Sequence, residues 1–349
     1  MAWQTFASWA ALATIAAGQS TITEVGTTAV AVGSQTRTVN SGSGSVNVTY
    51  NGIEERVRAL VSAGTVYTPT TVGEVRVRRN TAAESFPNGN ANQTSAWNHV
   101  VSVSGSNHTV RGQYRQTMEA LFNSNNVATG TENLFVNSGD VANVASNVER
   151  MDYLFAGGLT ASVSKGFAVL ERGGNGGGAN GGFKIAAITA VDAFGNPANY
   201  GAVVSVATGS YSGGGMGLAP SNYDVFRFNN IGGPGLDFIH NANIGPQGLA
   251  GVFFTTTSLA AAGSTIYGYS LFGTDTVTTG SGASLLDWTN SSIYSTASTT
   301  VNDLDLVASG VFVFAAVPEP GALALCVAAL GGMLSRRRGP HARTASKRP

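Results

Sequence analysis

Thr265-Ile266-Tyr267-Gly268-Tyr269-Ser270-Leu271 decides the class of fold. β-Branched and aromatic residues fill it, and Tyr267, Gly268 and Tyr269 follow the in/out alternation of a half-buried strand. Working outward, runs of the same kind recur at 252–256, 225–228, 203–207, 183–188, 167–170 and 151–155. They recur again at 100–103, 75–77 and 46–50, and downstream at 304–314. Clusters of Gly, Ser, Asn and Thr separate them, such as the turn Ser104-Gly105-Ser106-Asn107. Many short strands at close spacing predict an all-β chain, an antiparallel β-sandwich of jelly-roll type. One segment departs from this: Tyr114, Met118, Leu121 and Phe122 recur at helical spacing and predict one short helix at a sheet edge.

Composition narrows the possibilities. The 349 residues include 19 basic and 19 acidic side chains, only 11% charged, with 43% hydrophobic content and one cysteine. Such a chain can bury a core, is no disordered polyampholyte, and cannot build a disulfide scaffold. It shows no basic footprint for nucleic acid, and no cofactor motif. The zero net charge is an average over unlike parts. Residues 321–349 hold six basic residues and no acidic one, which leaves 13 basic against 19 acidic, or −6, for residues 1–320.

The C-terminal stretch carries the sharpest signal. Val317-Pro318-Glu319-Pro320 is followed by the uncharged, apolar residues 321–334, then Ser335 and Arg336-Arg337-Arg338. As a helix, residues 321–334 would reach about 21 Å, a marginal span of the ~30 Å hydrocarbon core. Arginines behind such a helix stay cytoplasmic and place everything before Pro318 outside. The prolines keep the motif extended and outside the helix.

These three parts, in this order and spacing, resemble the PEP-CTERM sorting signal. The resemblance covers only this end of the chain. It implies processing near the motif by an exosortase, a membrane-embedded cysteine peptidase, and delivery to the cell surface or exopolysaccharide matrix. By that resemblance Pro318, Glu319 and Pro320 are the recognised residues, and Arg336, Arg337 and Arg338 the membrane-retention signal. One departure is the basic tail 339–349 beyond the arginines.

Residues 1–18 read as a signal peptide without its positive start, with Ala16-Ala17-Gly18 preceding a cut at Gln19 and a true start expected upstream. The expected organisation is therefore signal peptide 1–18, ectodomain 19–315 with room for two sub-domains dividing near 140–150, sorting signal 316–338 and cytoplasmic tail 339–349. Cys326 falls in the apolar segment, so the ectodomain carries no thiol, which suits an oxidising compartment.

Searching the body for chemistry yields little. No nucleophile elbow, zinc motif or phosphate loop is present; Gly209-Ser-Tyr-Ser-Gly213 places Tyr211 where a nucleophile would stand. The glycine-rich stretch 173–182 reads as a long hairpin loop, with Glu171 and Arg172 at its base as a candidate local ion pair. His99 and His108 flank a predicted turn and read as a surface pair more readily than as a metal site. Asp237 and His240 lack a third ligand in view, and Asp303 and Asp305 read as solvated edge residues more readily than as a calcium site. Trp97, Tyr267, Tyr269, Trp288 and Tyr294 are candidates for stacking on sugars, or for the core. The resulting expectation is an exported, non-enzymatic surface or matrix protein with a structural or adhesive role, with an extracellular polysaccharide as candidate partner. The alternative is a secreted polysaccharide-active enzyme or carbohydrate-binding module on the same scaffold.

Overall fold

The computed structural model describes residues 18–318 apart from 42–43, 80–94, 116–117, 137–147, 174–180, 212–215, 230–236, 279–281 and 296–303. Residues 1–17 of the expected signal peptide, Glu319, Pro320, the apolar segment 321–334 with Cys326, Arg336, Arg337 and Arg338, the tail 339–349, and Asp303 lie outside the described residues. Among the described residues no helix is long and apolar enough to cross a membrane.

The first strands are β1 (Gln19–Ala31), β2 (Gln35–Ser41), β3 (Gly44–Tyr50), β4 (Ile53–Ser62), β5 (Thr65–Val72) and β6 (Glu74–Arg79). Then come β7 (Ser95–Ser104), β8 (Asn107–Val110), the helix α1 (Met118–Phe122) and β9 (Asn126–Thr131). Next are β10 (Val148–Thr160), β11 (Lys165–Arg172), β12 (Phe183–Val191) and β13 (Pro197–Val206). The last are β14 (Ser221–Asn229), β15 (Asp237–Gln247), β16 (Leu249–Thr255), β17 (Thr265–Phe272), β18 (Val307–Ala308) and β19 (Phe312–Ala316).

The chain is all-β, but the expected sandwich is replaced by a closed six-stranded barrel. Its wall runs β1–β16–β11–β19–β5–β4 and returns from β4 to β1, antiparallel throughout. Closure depends on β1 serving two neighbours. Gln19–Thr21 pair with β16, and from Ile22 to Ala31 the strand pairs with β4, with register shifts at Ile22/Glu24 and Gly26/Thr27. Shifts of this kind bend a strand and increase its twist, which is what curling a sheet into a ring demands.

The barrel interior is apolar: Ile22, Val25, Val57, Leu60, Tyr67, Ala168, Leu170, Phe253 and Phe314 pack together. Alternate residues of the same strands face outward. Phe167 and Val169 of β11, Val252 and Phe254 of β16, and Val313 of β19 belong to a second core. Across that core lies a five-stranded antiparallel sheet, β13–β12–β17–β10–β6. Aromatic rings join the layers: Phe167 lies 4.5 Å from Tyr269 and 5.7 Å from Phe155. A wall covered on both faces has no polar side. Hence from Gly166 to Arg172 every residue of β11 is buried, and the wall strand reads as an apolar run rather than an alternation.

The far face of the five-stranded sheet is covered by the segment that carries Leu285 and Tyr294. A charged centre is buried there. Arg150 meets both carboxylate oxygens of Asp152 at 2.7 and 3.1 Å and donates to the carbonyls of Leu285 and Leu286.

A second ring of pairings, β7–β14–β15–β2–β3–β8, returns from β8 to β7. Two of its contacts are parallel, β15 with β2 and β3 with β8. Strand β9 ties it to the barrel, pairing with β4 on one side and β7 on the other. Pairings such as β6–β10, β5–β19 and β7–β14 cross positions 140–150, the place where two sub-domains had room to divide.

Candidate metal centre

The inward face of the second ring is mostly apolar, with Val46, Val48, Tyr50, Val110 and Phe226 buried on it. Three polar side chains share that face. The turn Ser104-Gly105-Ser106-Asn107 makes the expected hairpin, with Gly105 at φ 58, and sets His108 opposite Val103 of β7 and Val48 of β3. Asp224 pairs with Asn98 of β7, two residues before Phe226 and therefore on the same side. His240 lies opposite Phe226 on β15.

Their side chains meet on the carboxylate. His108 Nδ1 lies 2.6 Å from Asp224 Oδ2, and His240 Nε2 lies 3.1 Å from Asp224 Oδ1. Asn243 Nδ2 donates to Oδ1 at 3.0 Å. The two imidazoles contact each other edge to face, with centroids 4.8 Å apart. Asp224 is fully buried, whereas the His108 and His240 side chains keep 8% and 12% exposure, so solvent reaches the group from the histidine side. Burial pushes the Asp224 carboxyl up, but the hydrogen bonds from His240, Asn243 and His108 outweigh it and hold the carboxyl below its usual range. One ligand atom from each of His108, Asp224 and His240 falls within 4.8 Å of the others. Two imidazole nitrogens and a carboxylate oxygen make a donor set suited to a first-row divalent ion.

Sequence reasoning had His108 and His240 in view but with other partners. His99 does not meet His108; it faces the opposite side of β7, 5.9 Å from the Tyr223 ring, and burial lowers its pKa. The side chain of Asp237 lies outside the described residues. Asp224 was missed, although an acid two positions from Phe226 in an apolar strand is a readable signal.

The other candidates disperse. Arg172 does not pair with Glu171; it reaches Asp305 at 3.0 Å and Glu132 at 3.5 Å, so Asp305 is an ion-pair partner rather than a solvated edge residue. Trp97, Tyr269 and Tyr294 are core residues. Arg78 and Arg150 lie over the Trp288 ring at 4.7 and 5.0 Å. Tyr267 lines a cleft of about 520 Å³ with Glu74 and Arg76. Pro318 is exposed just after β19.

No protein-family model matches this chain, and no curated protein matches it. Among solved structures it is compared with a chain of the T=1 particles derived from infectious bursal virus. That chain is 13% identical over 90% of this chain and 84% of the other, with a TM-score of 0.09, a value on which no argument rests.

Proposed function

We propose that this chain is an exported protein of the cell surface or exopolysaccharide matrix, sorted by an exosortase, with a structural or adhesive role. The observation that carries the reading is the order Pro318-Glu319-Pro320, apolar segment, Arg336-Arg337-Arg338. Its position at the end of the body supports it. The amide of Val317 donates to the carbonyl of Val66, the side chain of Val317 is 44% exposed, and Pro318 is exposed beyond it. A peptidase acting after this point would leave every strand of the barrel in place.

The test is fractionation of cells that make the wild type or the triple variant Pro318→Ala/Glu319→Ala/Pro320→Ala. The wild type is expected at the surface in a shortened form, and the variant at full length in the inner membrane. Identical size and location of the two would refute the sorting reading.

A second reading, a polysaccharide-binding module, draws on the cleft beside Tyr267. A ring flanked by Glu74 and Arg76 offers a sugar one stacking face and polar partners. Affinity electrophoresis in matrix polysaccharide, comparing wild type with Tyr267→Ala, checks it; equal mobility shifts would exclude that site.

A further inference from the structure

We propose that His108, Asp224 and His240 form a binding site for a divalent transition ion, Zn²⁺ being the best match, inside the second ring of strands.

Other carboxylates of the chain that are withdrawn from solvent have partners of two kinds. Glu54 is met by Arg56 and Arg115, Asp152 by Arg78 and Arg150, and the partly exposed Asp305 by Arg172, whereas Glu171 takes the Tyr211 hydroxyl and the Gly181 amide. Asp224 is met by two imidazoles and an amide. If a buried negative charge only needed neutralising, arginine would serve, as it does at Glu54 and Asp152. Two imidazoles converging on one carboxylate, with ring centroids 4.8 Å apart, instead bring two nitrogen ligand atoms beside an oxygen.

The geometry suits a metal of small radius. Tetrahedral Zn²⁺ holds its nitrogen and oxygen ligands at about 2.0–2.2 Å, which places ligand atoms somewhat over 3 Å from each other. The nitrogen–oxygen separations of 2.6 and 3.1 Å are made to different oxygens of Asp224, and the ligand atoms lie within 4.8 Å of one another, so side-chain rotation must bring one oxygen and both nitrogens around an entering ion. Each imidazole would then carry its proton on the nitrogen turned away from the ion. Imidazole nitrogen selects zinc and its neighbours over calcium and magnesium, which prefer all-oxygen sites.

The surroundings supply the rest of a site. Asn243 holds the carboxylate from behind, the position of an outer-shell partner. Val48 beside His108 and Phe226 against His240 are apolar neighbours, and the partial exposure of His240 leaves a route for the ion. Three protein ligands leave one coordination position for water or an outside group.

The experiment is titration of the full chain, purified in detergent and stripped with chelator, with Zn²⁺ alone, and with Co²⁺ as a coloured substitute. One saturable equivalent, a rise in the thermal midpoint and the visible absorption of tetrahedral Co²⁺ are expected. Both His108→Ala and His240→Ala should abolish these effects, and Asn243→Leu should weaken binding about 10- to 100-fold. His99→Ala, whose ring faces the other side of β7, should bind as the wild type does. Because a substitution at His108 can unfold the ring, the ring-nitrogen NMR shifts of the wild-type histidines provide an independent readout. Failure of the wild type to bind Zn²⁺ saturably, unchanged imidazole shifts on its addition, or full binding by folded His240→Ala would each overturn the proposal and leave a hydrogen-bonded triad.

Discussion

The hydroxyl of Tyr211 donates to the carboxyl of Glu171 across the base of the glycine-rich loop, although forty residues of chain separate them. The same hydroxyl lies 3.0 Å from the carbonyl of Gly181, whose amide donates to the other Glu171 oxygen at 2.7 Å. Tyr211 therefore has a second acceptor at hand. A protonated Glu171 can donate to Tyr211 while Tyr211 donates to Gly181, so the network closes with no buried charge.

That network makes stability depend on pH. Burial, the largest influence, raises the Glu171 pKa from 4.5 to about 8. A carboxyl with a raised folded-state pKa stabilises the fold fully below its unfolded value. The contribution is lost as pH climbs from about 4.5 towards 8, at a slope of at most about 1.4 kcal/mol per pH unit. Glu171→Gln should flatten this dependence, matching or trailing the wild type near about pH 5 and exceeding it near about pH 9. Urea midpoints at the two pH values check the crossover.

Arg150 should be among the costliest single losses. Asp152 is fully buried and accepts from Ser270 at 2.6 Å, Arg78 at 3.2 Å and twice from Arg150. Arg150→Met removes the bidentate partner and leaves Leu285 and Leu286 without their shared donor. A loss of about 3–5 kcal/mol is expected by chemical denaturation. Arg150→Lys should recover only part of it, because an ammonium cannot grip both oxygens and both carbonyls.

Gly268 is fixed by its neighbours. It adopts φ +148 on β17, and a Cβ there would stand 1.8 Å from the carbonyl oxygen of Tyr153 on β10. Gly268→Ala should cost about 2–5 kcal/mol, since the pair must separate within a packed sheet. Gly263, at φ +80 with open space around it, offers the contrast: Gly263→Ala should cost about 1 kcal/mol. Thermal melts of the two variants measure the difference.

Strand character was legible wherever β-branched and aromatic residues crowd together, as in β14, β16 and β17, and the turn before Asn107 was legible from Ser-Gly-Ser-Asn. The helical spacing from Tyr114 to Phe122 was also sound in kind, although the helix is only Met118–Phe122 and rests against β6 and β9. Closure was not legible. Alternation reports that one face is covered and is silent on whether another sheet or the same sheet covers it. The strand that closes the ring, Gln19–Ala31, has four Thr among its thirteen residues and only Ile22, Val25 and Val30 as large apolar side chains, so it gives little apolar signal of its own. The site was half legible for a related reason. His108 and His240 stood out as rare side chains, but their common partner belongs to a strand read only for its hydrophobic neighbours, and no local spacing links positions 108, 224 and 240.

The barrel wall places β1 beside β16 and β19 beside β5, so its first and last strands complete one ring. In folding order, β1 can find β4 within the first stretch of chain, whereas its other neighbour arrives only with residues 249–255 and the final gap closes only with Phe312–Ala316. Pairings this distant in sequence carry a large loop-closure cost and fold slowly. A chain emerging from its N-terminal end therefore spends most of its passage as an unclosed sheet with exposed edges. Truncation anywhere before Ala316 should leave it in that state, whereas a cut just beyond Val317 falls after the ring has shut.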